Sequence, residues 1–146
     1  MKSASAAGFS LIELAITILV LGIVLAFGIP AFSNFSGSYN LKGATENIGA
    51  QLRLAREKAI STGIPQTLWF KKSKCAGSDY CVDNGGGPDP KWNLPNSINY
   101  KNGPGFQDTY TMGKDGRCNT SGMVIVQDTR GNRDTVSVQM SGLVIN

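Results

Sequence analysis

The sequence predicts an α+β protein in which one long N-terminal helix, membrane-spanning at first and amphipathic after, packs against a C-terminal antiparallel β-sheet head. Three observations predict it. Residues 8–32 form an apolar run broken by one charge, Glu13. From there to Thr62 the apolar residues recur every three or four positions, as on one face of a helix. Beyond Pro65 come short runs of β-branched and aromatic residues separated by Gly, Pro, Asn and Asp, ending in an alternating hairpin pattern.

From Leu14 to Leu41 the only ionisable side chain is Tyr39, and residues 14–29 alone approach the roughly 20 residues that a bilayer-crossing helix needs. Residues 9–32 are therefore expected to anchor the chain in a membrane. Lys2 is the only charge before Gly8, which favours a cytoplasmic N-terminus and an external C-terminus. A cleaved secretory signal would place small residues after the apolar run, whereas Ala4, Ser5, Ala6, Ala7 and Gly8 precede it. The run tolerates Glu13, because a charge at membrane depth costs about 2.5–3.5 kcal/mol and each buried Leu, Ile, Val or Phe returns about 1.5–3 kcal/mol. That arithmetic leaves unexplained why an acid is there. Gly22, Gly28 and Pro30 interrupt the run; each is a weak point in a lone helix and a kink or packing notch in a membrane.

In residues 33–63, Leu41, Ala44, Ile48, Leu52, Ala55 and Ala59 share one helical face, and Lys42, Glu46, Arg53, Arg56, Glu57 and Lys58 take the rest. Gly63 is placed to cap the helix in the left-handed conformation, Pro65 stops it, and the basic residues near that end suit the helix dipole. Ser36-Gly37-Ser38 is the expected place for a bend. As one rod, Ser10 to Thr62 would span about 80 Å.

Residues 64–146 are one small head. Thr67-Leu68-Trp69-Phe70 reads as a first strand, and Ser97-Ile98-Asn99-Tyr100 and Thr109-Tyr110-Thr111-Met112 as two more. The remainder of the stretch from Cys75 to Gly122 reads as loop, punctuated by Gly85-Gly86-Gly87-Pro88 and Asn102-Gly103-Pro104-Gly105. Met123-Val124-Ile125-Val126 is apolar on both faces, as an inner strand would be. From Asp134 to Met140 the pattern alternates, with Val136, Val138 and Met140 on one side, and Thr129 to Arg133 supplies the turn between. Leu143-Val144-Ile145 reads as a closing edge strand.

The formal charge of +4, from 14 Lys and Arg against 10 Asp and Glu, is spread along the chain except at Lys71, Lys72 and Lys74, and reads mainly as solvated surface. No enzyme is expected. Without histidine the chain lacks Ser-His-Asp and Cys-His mechanisms, its aspartates fall in turn-like sequence, and no Gly-rich phosphate motif follows a strand. Three unevenly spaced cysteines lack zinc spacing, and the acidic stretch from Asp79 to Asp89 fits no EF-hand. No metal or other cofactor is expected.

Gly8-Phe9-Ser10-Leu11-Ile12-Glu13-Leu14 resembles the prepilin leader of type IV pilins and type II secretion pseudopilins. The resemblance implies that residues 1–8 are a leader, that a prepilin peptidase cuts between Gly8 and Phe9, and that Phe9 is then N-methylated. It also implies a partner for Glu13: the new α-amino group of Phe9 on a neighbouring subunit, as a register key during filament growth. Gly22 and Pro30 resemble the positions where filament-forming pilins loosen their stalk. The chain would sit in the inner membrane by a single pass, with its head in the periplasm and other major and minor pilins or pseudopilins as partners.

The helix ending Gln51 to Ile60, the strand after it and the closing hairpin with Gly131, Thr135-Val136-Ser137-Val138 and Gly142 resemble the GspH/FimT family of minor pilins and pseudopilins. In an oxidising periplasm one disulfide is expected among Cys75, Cys81 and Cys118; Cys75 with Cys81 closes the shortest loop, and connectivity is left open. Some members take up DNA through a basic Gly-Arg-x-Arg stretch, but Gly142-Leu143-Val144-Ile145 has no arginine there. Three functions follow: a minor pilin near the tip of a type IV pilus that helps start assembly, a type II secretion pseudopilin, or a DNA-binding minor pilin using Arg117, Arg130 and Arg133 with the Lys71 to Lys74 cluster.

Overall fold

Helix α1 covers Leu11–Thr62, and Cα packing divides the chain within it into two units, Met1–Ser36 and Gly37–Asn146. The computed structural model describes residues 9–70, 72–85 and 90–146, and side chains are described in all of these except 28–34. The expectations for Gly8 and the leader, for Lys71 and for 86–89 lie outside the described residues, as do the surroundings of Gly28 and the side chain of Pro30.

In the first unit, Ser10 begins the helix. Its Oγ accepts from the Ile12 N–H at 3.3 Å and its carbonyl from the Leu14 N–H at 3.1 Å, so its side chain and backbone take up two donors that a helix start leaves open. Glu13 follows in the first turn, where a carboxylate is favoured by the helix dipole.

In the second unit, α1 buries the six residues that the periodicity singles out, Leu41, Ala44, Ile48, Leu52, Ala55 and Ala59. One polar side chain, Thr45, is buried beside them. The helix ends as expected: Gly63 takes φ 70° and its N–H donates to the Ala59 carbonyl at 3.0 Å. The last turn holds no basic side chain, however. Arg56 and Lys58 come earlier, so the expected dipole contribution there is absent.

Among the described residues eight strands follow: β1 (Gln66–Trp69), β2 (Tyr80–Asp83), β3 (Lys91–Trp92), β4 (Ile98–Tyr100), β5 (Thr109–Met112), β6 (Gly122–Asp128), β7 (Arg133–Val138) and β8 (Val144–Ile145). They form two four-stranded sheets rather than one, ordered β3-β2-β1-β5 and β4-β6-β7-β8, and every strand pairing is antiparallel. The second sheet contains the expected hairpin and edge strand, with Val124 opposite Val136 and Val138 opposite Val144. Strands β2 and β3 correct the expectation of loop. Tyr80, Cys81 and Val82 are buried in succession, so β2 shows no period-two alternation, and β3 has only two residues. Met140 is also corrected: it lies beyond β7, in a turn, and is exposed.

Both sheets contribute to one core with the α1 face. Phe70 sits at the centre of its aromatic part, stacked on Tyr80 at 5.8 Å and edge-on to Tyr100 and Tyr110 at 5.9 Å each. Offset and edge-to-face contacts of this kind add stability beyond the area they bury.

Candidate functional site

The N-terminal stretch presents its chemistry outward. Phe9 and Leu11 are 81% and 86% exposed, and every large apolar side chain from Ile12 to Phe27 is at least half exposed. A helix that is apolar on every face is stable in water only when something covers it. Among the described residues no helix is long and apolar enough to cross a membrane; the apolar run continues past Phe27 into 28–34, whose side chains are not described. Gly22 meets no atom within 4 Å of a notional Cβ, so its surface is open to close approach.

Cys75 and Cys81 form a disulfide, and Cys118 is a free, buried thiol. The bond ties the segment before β2 to the strand itself. Asp79, inside the tied loop, accepts from the Leu94 N–H at 2.8 Å and pairs with Lys72 at 3.0 Å. Lys74 lies 5.6 Å from the centre of the Trp69 ring, within cation–π range.

The arginines are not brought together. Arg130 and Arg133 lie at the β6–β7 turn, and Arg117 lies beyond the opposite end of that hairpin, beside Cys118, whose N–H donates to the Met140 carbonyl at 3.0 Å. Six residues of β7 stand between, a separation of about 20 Å. Arg130 is further engaged: its Nε is 3.8 Å from Asp128 Oδ2 and its guanidinium lies against Gly37.

Asp128 was missed, because a lone Asp before a turn looks like solvated turn chemistry. Its buried carboxylate accepts from the Arg130 N–H, the Asn132 N–H and the Asn132 side-chain amide, each at 2.9 Å. The Asn132 amide, then the backbone donors and the Arg130 charge, hold its pKa below the usual carboxylate range. Arg56, which the helical pattern places on the polar face, donates its Nε–H to the Gly116 carbonyl at 3.0 Å. Among the described residues no group of three or more His, Cys, Asp or Glu is placed to hold a metal ion. The buried phenol of Tyr80 is pushed up to about 12, by burial first and the Asp79 charge second.

No family model and no curated protein matches the chain. Among solved structures, the fold is similar to that of the type IV minor pilin FimU of Pseudomonas aeruginosa strain PAO1, with a TM-score of 0.58 and 17% sequence identity over 76% of this chain and 90% of that one. At this identity the likeness is one of architecture: the chain has a type IV pilin-like fold.

Proposed function

We propose that the protein is a minor pilin of a type IV pilus, cut after Gly8 by prepilin peptidase, methylated on Phe9 and incorporated near the filament tip, where it helps start assembly. The observation that supports this reading is the apolar stretch from Phe9 to Phe27, at least half exposed at every large side chain, on a pilin-like fold. A stretch of that kind needs lipid before assembly and the helices of other subunits after it. Residues 9–32 hold the subunit in the inner membrane by a single pass, with the head in the periplasm. Glu13 then pairs with the Phe9 amine of a neighbour. The role is structural rather than catalytic.

A type II secretion pseudopilin would use the same fold, and a deletion strain separates the two. Loss of surface pili and twitching with normal exoprotein secretion supports the pilus; the reverse outcome assigns the protein to secretion. The placement of Arg117 away from Arg130 and Arg133 supports the pilus reading more than a DNA-uptake role. Salt-dependent retention of duplex DNA by the protein would restore it.

A further inference from the structure

Side chains alternate between the two faces of a strand, and the second sheet uses its faces differently. Val124 and Val126 of β6 and Val136 and Val138 of β7 are buried in the core with α1. Met123, Ile125, Thr135 and Ser137 point to the other face and stay at least partly exposed. The register gathers that outer face into rows. Met123 lies opposite Ser137, and Ser137 opposite Ile145. Ile125 lies opposite Thr135, and Lys101 extends this row, its N–H donating to the Ile125 carbonyl at 2.9 Å. Asn99, Gln127 and Arg133 make the third row. The face thus runs from apolar to polar, with Met123 and Ile145 still 40% and 46% exposed at its apolar end.

Its charge is of one sign. The strands of this sheet carry two carboxylates, Asp128 and Asp134, and neither is on the outer face: Asp128 is buried, and Asp134 Oδ2 accepts from the Thr45 hydroxyl of α1 at 2.6 Å. Lys101 and Arg133 are exposed and make no ion pair with the protein among the described residues. Glu46, which lines the same cleft as Arg133 at the β7 margin, already pairs with Lys42 at 4.0 Å. Between the apolar and basic positions, the Thr135 and Ser137 hydroxyls have no protein acceptor among the described residues, and a hydroxyl donates well to a carboxylate.

We propose that this face docks an acidic amphipathic helix of another protein. Met123, Ile125 and Ile145 meet the apolar stripe of that helix, and its carboxylates meet Lys101, Arg133 and the two hydroxyls. The dimensions suit one helix: four strands about 4.8 Å apart make a face about 14 Å wide, and a helix with its side chains is about 10–12 Å across. A helix laid there would give the sheet a second covered face, one of the stable layer arrangements. Charge decides against a second copy of the chain, because two such faces set like charges together. An anionic lipid surface gains only about 1 kcal/mol from each of two cations and leaves the hydroxyls without acceptors in an apolar layer.

The test needs no filament, so its failure leaves the pilin reading untouched. Full-length protein in phosphatidylcholine nanodiscs, with carbon-13 in its Ile and Met methyl groups, is titrated with a helical peptide of about 14 residues, about 21 Å long. The peptide has Leu on one face and Glu along both sides of it. The same peptide with Lys for Glu, phosphatidylglycerol vesicles, and excess unlabelled protein are the comparison probes. The expected result is a saturable shift of the Met123, Ile125 and Ile145 methyls at a Kd of about 1 mM or tighter, with the buried Ile48 and Ile98 unmoved. Lys101→Glu combined with Arg133→Glu should weaken the Glu peptide about tenfold or more and admit the Lys peptide instead. Both positions are exposed, and the exchange of Glu for Lys in the peptide tests the charge without any variant. The proposal is overturned if the Glu peptide gives no saturable shift, if the Lys peptide binds the unaltered protein as tightly, or if only vesicles or unlabelled protein move these methyls.

Discussion

The Thr45 hydroxyl lies 2.6 Å from Asp134 Oδ2, joining α1 to β7 through a side chain that is 2% exposed. The Lys42 carbonyl, at 2.8 Å, competes for the same proton, and the charged acceptor makes the stronger bond. Thr45→Val keeps the shape and removes the donor. It should lower the unfolding free energy by about 1–3 kcal/mol, read as a lower thermal midpoint.

Gly142 and Gly43 should respond in opposite directions to alanine. Gly142 has φ 79°, and a Cβ there would run into the Gly116 carbonyl; Gly142→Ala should cost about 2 kcal/mol or more. Gly43 is helical and a Cβ there meets nothing within 4 Å. Gly43→Ala should therefore stabilise the isolated subunit by about 0.5–1 kcal/mol. Denaturant unfolding of the two variants side by side checks both signs.

Alkali should unfold the head through its tyrosines. Burial, the largest cause at each, pushes up the phenols of Tyr80, Tyr100 and Tyr110, the first to about 12. An acid whose folded pKa is raised adds stability that is complete below the unfolded value, about 10, and is lost as pH rises through the folded one. Each phenol should withdraw about 1.4 kcal/mol per pH unit within that window. Unfolding free energies measured between pH 9 and pH 12 should fall progressively; a flat profile would contradict the burial of these hydroxyls.

Glu13→Leu should leave membrane insertion and processing intact and reduce incorporation into sheared filaments to background. The readout is the ratio of processed protein in membranes to that in filaments. Unchanged incorporation would remove the pairing with Phe9 from the proposal, while a loss of processing would place Glu13 in peptidase recognition instead.

Where sidedness is set by local pattern, the sequence was legible. The α1 face from Leu41 to Ala59 and the alternation of Val136 and Val138 in β7 follow directly from periods of 3.6 and 2. β2 was hidden because three consecutive buried residues look neither like an alternating strand nor like a long apolar run. The division into two sheets depends on β1 pairing with β2 and β5, contacts between residues far apart in the chain that turn chemistry does not encode. Thr45 and Asp128 were hidden for a related reason: a buried polar group is legible only once its partner's position is known. In the N-terminal stretch, residue types pointed to Phe9 and Glu13, and the exposure of the helix around them adds the requirement for an outside partner.

Cys118, buried and raised in pKa by that burial, gives the head a chemical clock. A thiol reagent in the surrounding medium attacks the ionised sulfur only when the segment around it opens. Its labelling rate, measured on free subunits and on filaments, would therefore report how often the head breathes in each setting, without any engineered probe.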